Sequence, residues 1–130
     1  MGYLLDTSTL VEVLRASPSP KLVRRLSTTS CRERYTSVIT VSQLLLAARR
    51  QDDTRLMQEV VRLMSAIRVA PYDLAAAQAF AKLRVREAAQ AETDDVMIAA
   101  IAISRDLVLV TRRKVEFGRY PRLRVEDWIG

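Results

Sequence analysis

The feature that most constrains this chain is the regular exchange of two hydrophobic periods. Short apolar or β-branched runs alternate with longer stretches whose apolar residues recur three and four positions apart. Tyr3-Leu4-Leu5 opens as a strand that ends on Asp6. A helix is predicted from about Ser8 to Arg15, with Leu10, Val11 and Leu14 on one face. After the Ala16–Pro20 breaker, Lys21–Leu26 resumes as helix. Arg34–Ile39 is rich in β-formers and predicts a second strand. Thr40 is the expected N-cap of a helix over Val41–Arg50, and Asp52 or Asp53 caps the next, where Met57, Val60, Val61, Met64 and Ile67 keep helical spacing. Arg68–Tyr72 reads as a strand, and Asp73 caps a helix reaching about Ala89. An apolar helix, Val96–Ile103, follows the acids Asp94 and Asp95. Leu107–Thr111 is the cleanest strand, Arg122–Val125 the last, and Trp128 is expected to pack the C-terminal end.

Strands that alternate with helices need crossover connections. They therefore favour a mostly parallel sheet covered by helices on both faces, an α/β arrangement. An unbroken apolar run such as Leu107–Val110 suits a strand buried on both sides. With 130 residues and no linker, repeat or low-complexity segment, residues 1–130 are expected to form a single domain. Ligands of such folds bind beyond the carboxyl ends of the strands. Asp6 stands at one such end, and Thr111 with Arg112, Arg113 and Glu116 stands at another.

Composition narrows the chemistry. The chain has no histidine and one cysteine, Cys31, so imidazole-based catalysis and an ordinary structural zinc site are excluded. A lone cysteine closes no internal disulfide, and no signal-peptide pattern is visible, which together suit a cytoplasmic chain. No run approaches the roughly 18 apolar residues of a membrane span. Twenty-one Lys and Arg against 15 Asp and Glu give a net charge of +6, which favours a polyanionic partner such as nucleic acid. Chemistry must then rest on oxygen donors, including a hard metal ion held by acids.

Asp6 is the most conspicuous acid. Ser, Thr and Asp all cap helices through a side-chain oxygen. Thr7, Ser8 and Thr9 are available for that role, so Asp6 looks surplus to it. Asp94 and Asp95 suit the first turn of a helix on capping and macrodipole grounds alone, and Glu116 suits a solvated surface. Clustered carboxylates repel one another, however, and a divalent cation relieves that repulsion. Acids together with a basic surface match metal-assisted hydrolysis of a phosphodiester.

Five segments carry a resemblance over nearly the whole chain. They are Tyr3-Leu-Leu-Asp6-Thr-Ser, Ser37-Val-Ile-Thr40-Val-Ser-Gln-Leu44, Asp95-Val-Met-Ile-Ala-Ala100, Leu109-Val-Thr111 with Glu116-Phe117, and Leu123-Arg-Val-Glu-Asp-Trp128. In this order they resemble the PIN-domain family, and within it the VapC-type ribonuclease toxins of toxin–antitoxin pairs. The resemblance implies a three-layer α/β sandwich and RNA cleavage with Mg²⁺ or Mn²⁺ held by acids. Asp6 matches the family's first acid and Asp95 its third, which makes them the implied metal ligands and leaves Asp94 as the better N-cap. Glu116 matches a position that is often acidic, and completes the implied catalytic set. Thr111 matches a hydroxyl residue near the metal, and Ser8, Gln43, Arg113 and Asp94 are further residues expected to line the site.

Two positions depart from the family pattern. Gln43 stands where a Glu is usual, and Arg113 where an Asn or Asp is common. One reading is therefore an endoribonuclease, leaving a 5′-phosphate and a 3′-hydroxyl, neutralised by a small VapB-like antitoxin. The other is a degenerate PIN module that binds RNA or a protein with little or no catalysis. A phosphatase or another acid-dependent hydrolase on a similar sheet fits the composition but not the five segments. The apolar excess on the predicted helices, with the dimeric habit of VapC-like proteins, leads to an expected homodimer.

Overall fold

The computed structural model describes residues 1–86 and 88–130. Five strands form one sheet: β1 (Tyr3–Leu5), β2 (Arg34–Ser37), β3 (Arg68–Ala70), β4 (Val108–Val110) and β5 (Val125–Glu126). Their order is β3-β2-β1-β4-β5, and every neighbouring pair is parallel. The strand nearest the N-terminus is thus central. Tyr3 pairs with Arg34 on one side and Val108 on the other, and Leu5 with Thr36 and Val110.

Among the described residues, seven helices cover the sheet: α1 (Thr7–Val13), α2 (Pro20–Ser27), α3 (Val38–Arg50), α4 (Thr54–Ala66), α5 (Leu74–Val85), α6 (Thr93–Ser104) and α7 (Lys114–Phe117). Side chains of a strand alternate between faces, and the two apolar cores follow that alternation. Leu4 and Leu109 join Ala76 and Leu83 of α5 and the buried face of α6, including Val96, Ile98 and Ile101. Leu5 and Val110 join Leu10 of α1, Leu22 of α2, Leu44 of α3 and Val60 of α4. The result is the expected three-layer α/β sandwich around a parallel sheet. α6 is an example of the packing: Val96 and the five consecutive residues Ile98 to Ala102 are all buried. Small alanines there let α5 approach closely.

Several boundaries differ from expectation. β2 stops at Ser37 rather than Ile39, because Ser37 is the N-cap of α3 and accepts from the Thr40 amide at 2.9 Å. Thr40 is therefore inside the first turn and buried. α5 ends at Val85, short of Ala89, where the Arg86 and Ala88 amides both turn back to the Leu83 carbonyl; the expected helix there crosses Glu87, which lies outside the described residues. α6 begins at Thr93, ahead of Val96, and Asp94 lies in its first turn instead of capping it. β5 is displaced to Val125–Glu126, although the Arg124 carbonyl already accepts from the Leu109 amide at 2.8 Å. Asp53 and Asp73 cap α4 and α5 as read. Trp128 packs edge-on against Tyr3, with ring centroids 5.0 Å apart, and joins the core that holds Leu5 and Val110.

Candidate active site at the carboxyl edge of the sheet

Each strand hands its chain to the site at its carboxyl end. β1 delivers Asp6, which is buried. The Asp6 amide donates to the Val110 carbonyl at 3.0 Å, and Thr9 Oγ1 donates to the same carbonyl, so β1 and β4 are pinned together just below the acid. Contrary to the expectation from sequence, Asp6 is itself the N-cap of α1: its Oδ1 accepts from the Thr9 amide at 3.0 Å and from Ser8 Oγ at 2.8 Å. Its other oxygen accepts from Thr111 Oγ1 at 2.5 Å. Asp was preferred over the neighbouring hydroxyls because only it precedes the helix while standing in extended backbone, at φ −83° and ψ 179°. Burial pushes its carboxyl above the ordinary value, and the hydrogen bonds from Thr111, Ser8 and Thr9 pull in the opposite direction.

β4 delivers Thr111, which is buried and links Asp6 to the next group. The Arg113 amide donates to Thr111 Oγ1 at 3.0 Å. The Arg113 guanidinium then grips Asp95, on the first turn of α6, through both carboxylate oxygens, at 3.0 and 2.7 Å. Its Nε donates to Glu116 of α7 at 2.9 Å. The same guanidinium lies 5.5 Å from the centre of the Phe117 ring. A planar fork facing a carboxylate is the strongest geometry available to an ion pair of this kind. The two acids accordingly raise the Arg113 pKa, against the opposing effect of its burial.

A second chain of hydrogen bonds runs beside the first. Thr7 Oγ1 donates to Gln43 Oε1, and Gln43 Nε2 donates to Asp94 Oδ2 at 3.0 Å. Thr7 Oγ1 also lies 3.3 Å from Thr40 Oγ1, which in turn accepts from Ser37. All eight residues singled out from sequence therefore lie in these two networks: Asp6, Ser8, Thr111, Arg113, Asp95 and Glu116 in one, Gln43 and Asp94 in the other. Thr7 and Thr40 were not foreseen. Their signal was present, since both are hydroxyl residues in the first turn of a helix that directly follows a strand. A cleft of about 160 Å³ opens beside the Asp95–Arg113 pair, lined in part by Glu92, Glu116, Arg119 and Tyr120. A larger one of about 500 Å³ lies elsewhere, between α5 and the segment around Pro121. Its lining is apolar and basic and holds no described carboxylate, so it offers nothing to phosphodiester chemistry.

The profile of the PIN domain matches residues 3–123. The chain belongs to the PIN-domain family. Among its curated relatives is the tRNA(fMet)-specific endonuclease VapC of Salmonella typhimurium, 31% identical over 132 residues that span 98% of both chains. The protein of the same name from Shigella flexneri is 32% identical, again over 98% of each chain. Among solved structures, DNA-bound VapBC from Salmonella typhimurium superposes with a TM-score of 0.89 at 30% identity, covering 98% of each chain. This PIN domain is thus of the VapC type.

The oxygen donors at this edge are of the right class for a hard cation, but their arrangement does not fit one. Both oxygens of Asp95 are engaged by Arg113, and so is Glu116. Gln43 supplies an uncharged amide, and its oxygen is engaged by Thr7. Both oxygens of Asp6 already accept hydrogen bonds from protein donors. Among the described residues, no group of three or more His, Cys, Asp or Glu side chains is placed to hold a metal ion.

Proposed function

We propose that this VapC-type chain is the toxin of a toxin–antitoxin pair and acts as an endoribonuclease on RNA. The observation that carries the reading is the full-length similarity to VapC endonucleases, with Asp6 and Thr111 hydrogen-bonded to each other at the carboxyl edge. Asp6, Asp95 and Glu116 are assigned to cleavage, and Ser8 and Thr111 to positioning Asp6. Structured RNA is the substrate class, since two of the relatives are named for tRNA(fMet). The +6 charge supports a phosphate-rich partner. A VapB-like antitoxin is the protein partner, as the VapBC neighbours suggest. Mg²⁺ or Mn²⁺ is the cofactor of this reading, although the acids as arranged do not accommodate it. A cytoplasmic location follows from the same assignment; no described helix is long and apolar enough to cross a membrane.

A homodimer also belongs to the reading. Val11, Val23, Leu46 and Val61 are large apolar side chains left exposed on α1 to α4, the helices of one layer, where a second copy would cover them. Light scattering at micromolar concentration then gives twice the chain mass.

The test is cleavage of initiator tRNA and of other structured RNAs, with and without millimolar Mn²⁺. Cleavage that needs Mn²⁺ and disappears in Asp6→Asn supports the assignment. The second reading, a binding module with little catalysis, is favoured by one observation: Arg113 takes both oxygens of Asp95. RNA retained by the chain but cut by neither the wild type nor Arg113→Asn selects it.

A further inference from the structure

The geometry points to Arg113 as a resident cation: its guanidinium occupies the oxygens of Asp95 that a divalent ion would need, so metal is admitted only when this side chain leaves. The inference rests on the reading of this edge as a metal-using nuclease site. Three observations converge on it.

The first is how completely the guanidinium is used. Its Nη1 and Nη2 face Asp95 and its Nε faces Glu116, at 3.0, 2.7 and 2.9 Å. Each Asp95 oxygen already accepts from the fork, and a cation bound on the same side would have to displace it. The second is charge. Asp95 and Glu116 together carry two negative charges, the match of one divalent ion; Arg113 already cancels one of them. Gln43 adds none, and Asp94 is tied to the Gln43 amide. A second cation approaching Asp95 meets the positive guanidinium at contact distance, which disfavours binding. The third is placement. The Arg113 amide is fixed on Thr111, the partner of Asp6, so the side chain starts within the network of the first acid and reaches to the second. Its guanidinium carbon lies over the ring of Phe117, which is buried.

The position is nevertheless one from which the side chain can depart. Arg113 is 41% exposed and Glu116 46%, while Asp95 is 16% exposed. The Arg113 and Glu116 side chains face water, which can take over their hydrogen bonds when the guanidinium moves away. Removing the guanidinium therefore leaves the fold intact and leaves Asp95 shielded, charged and unpaired, the condition under which a carboxylate takes up a cation.

The experiment measures free Mn²⁺ by electron paramagnetic resonance at pH 7 and low ionic strength, without RNA. It compares the wild-type chain, Arg113→Asn, and Arg113→Asn combined with Asp95→Asn. The expected result is Mn²⁺ binding at least tenfold tighter in Arg113→Asn than in wild type, with the gain lost in the double variant. Arg113→Gln, which keeps part of the aliphatic stem without the charge, gives the same gain and guards against a fault peculiar to one substitution. Equal affinity in wild type and both Arg113 variants, whether strong or absent, overturns the inference. The readout separates this claim from the nuclease assignment. A variant that gains Mn²⁺ yet cuts no RNA refutes the nuclease assignment alone. Manganese-dependent cleavage by chains whose Mn²⁺ affinity ignores Arg113 refutes the resident cation alone.

Discussion

Gln43→Glu is the substitution that restores the acid usual in the family, and the structure gives it a cost. Gln43 Nε2 donates to Asp94 Oδ2 at 3.0 Å, with Gln43 half-buried and Asp94 exposed. A glutamate removes the donor and sets two carboxylates against each other. Losing the hydrogen bond costs about 1 kcal/mol at so open a site. Repulsion between unit charges about 4 Å apart in water adds about 1 kcal/mol. At about 4 °C per kcal/mol for a domain of this size, the midpoint should fall by about 4–8 °C. Thermal unfolding followed by circular dichroism at pH 7 and 50 mM NaCl measures it. Two controls identify the cause. In 1 M NaCl the repulsive half is screened and the gap narrows. In Gln43→Glu with Asp94→Asn the donor and acceptor are exchanged across the same contact, and most of the loss returns. A midpoint unchanged by Gln43→Glu, or a loss that Asp94→Asn does not repair, refutes the argument that this contact contributes to stability.

Asp6→Asn keeps a good N-cap and removes a buried charge, so its unfolding free energy at pH 7 should stay within about 1 kcal/mol of wild type or exceed it, even as cleavage is lost. The Asp6 pKa is raised above its ordinary 3.8. Its charge therefore costs stability above the folded pKa, and that cost fades as pH falls through it, so wild type should gain on Asp6→Asn between pH 7 and 3.8 in parallel melts. Glu12 has the opposite sign: hydrogen bonds from Arg15 and the Ser19 amide hold it below its ordinary 4.5. Glu12→Gln should lower the midpoint at pH 7, and the difference should vanish once the pH drops below the lowered pKa. Leu109→Ala, at a fully buried position of β4, should cost about 2–5 kcal/mol in urea unfolding with little change in slope.

The layers of this fold were legible because period and length agree along most of the chain. Leu107–Val110 reads as an interior strand on its own pattern, and Asp73 and one of Asp52 and Asp53 read as helix starts. Boundaries were less legible where two residues of one type compete for the same role. Ser37 and Thr40 can each cap α3, and the choice falls to the one whose backbone is still extended as the strand ends. Asp6 was judged superfluous among Thr7, Ser8 and Thr9 for the same reason: residue type allows a cap, but only backbone direction assigns it. Within the site, the residues could be named from their places at strand ends and helix starts. Their pairing could not. That Arg113 reaches across to Asp95, and that Gln43 bridges Thr7 and Asp94, depends on how β4 and α6 are set against each other in three dimensions. The register of neighbouring strands carries that information, and no local pattern encodes it.

The centrality of β1 has a consequence for the order in which the protein is made. Asp6 leaves the ribosome ahead of the Thr111 hydroxyl that holds it, which comes 105 positions later. At about 5–20 residues per second, translation separates the two by roughly 5–20 s. Once β2 has been made, β1 has a neighbour on one side and still no β4 on the other, so the Asp6 amide has no Val110 carbonyl to meet. Every chain interrupted before β4 carries the first acid without its partner. Assembly of the acid network is thus a late event in the life of each polypeptide.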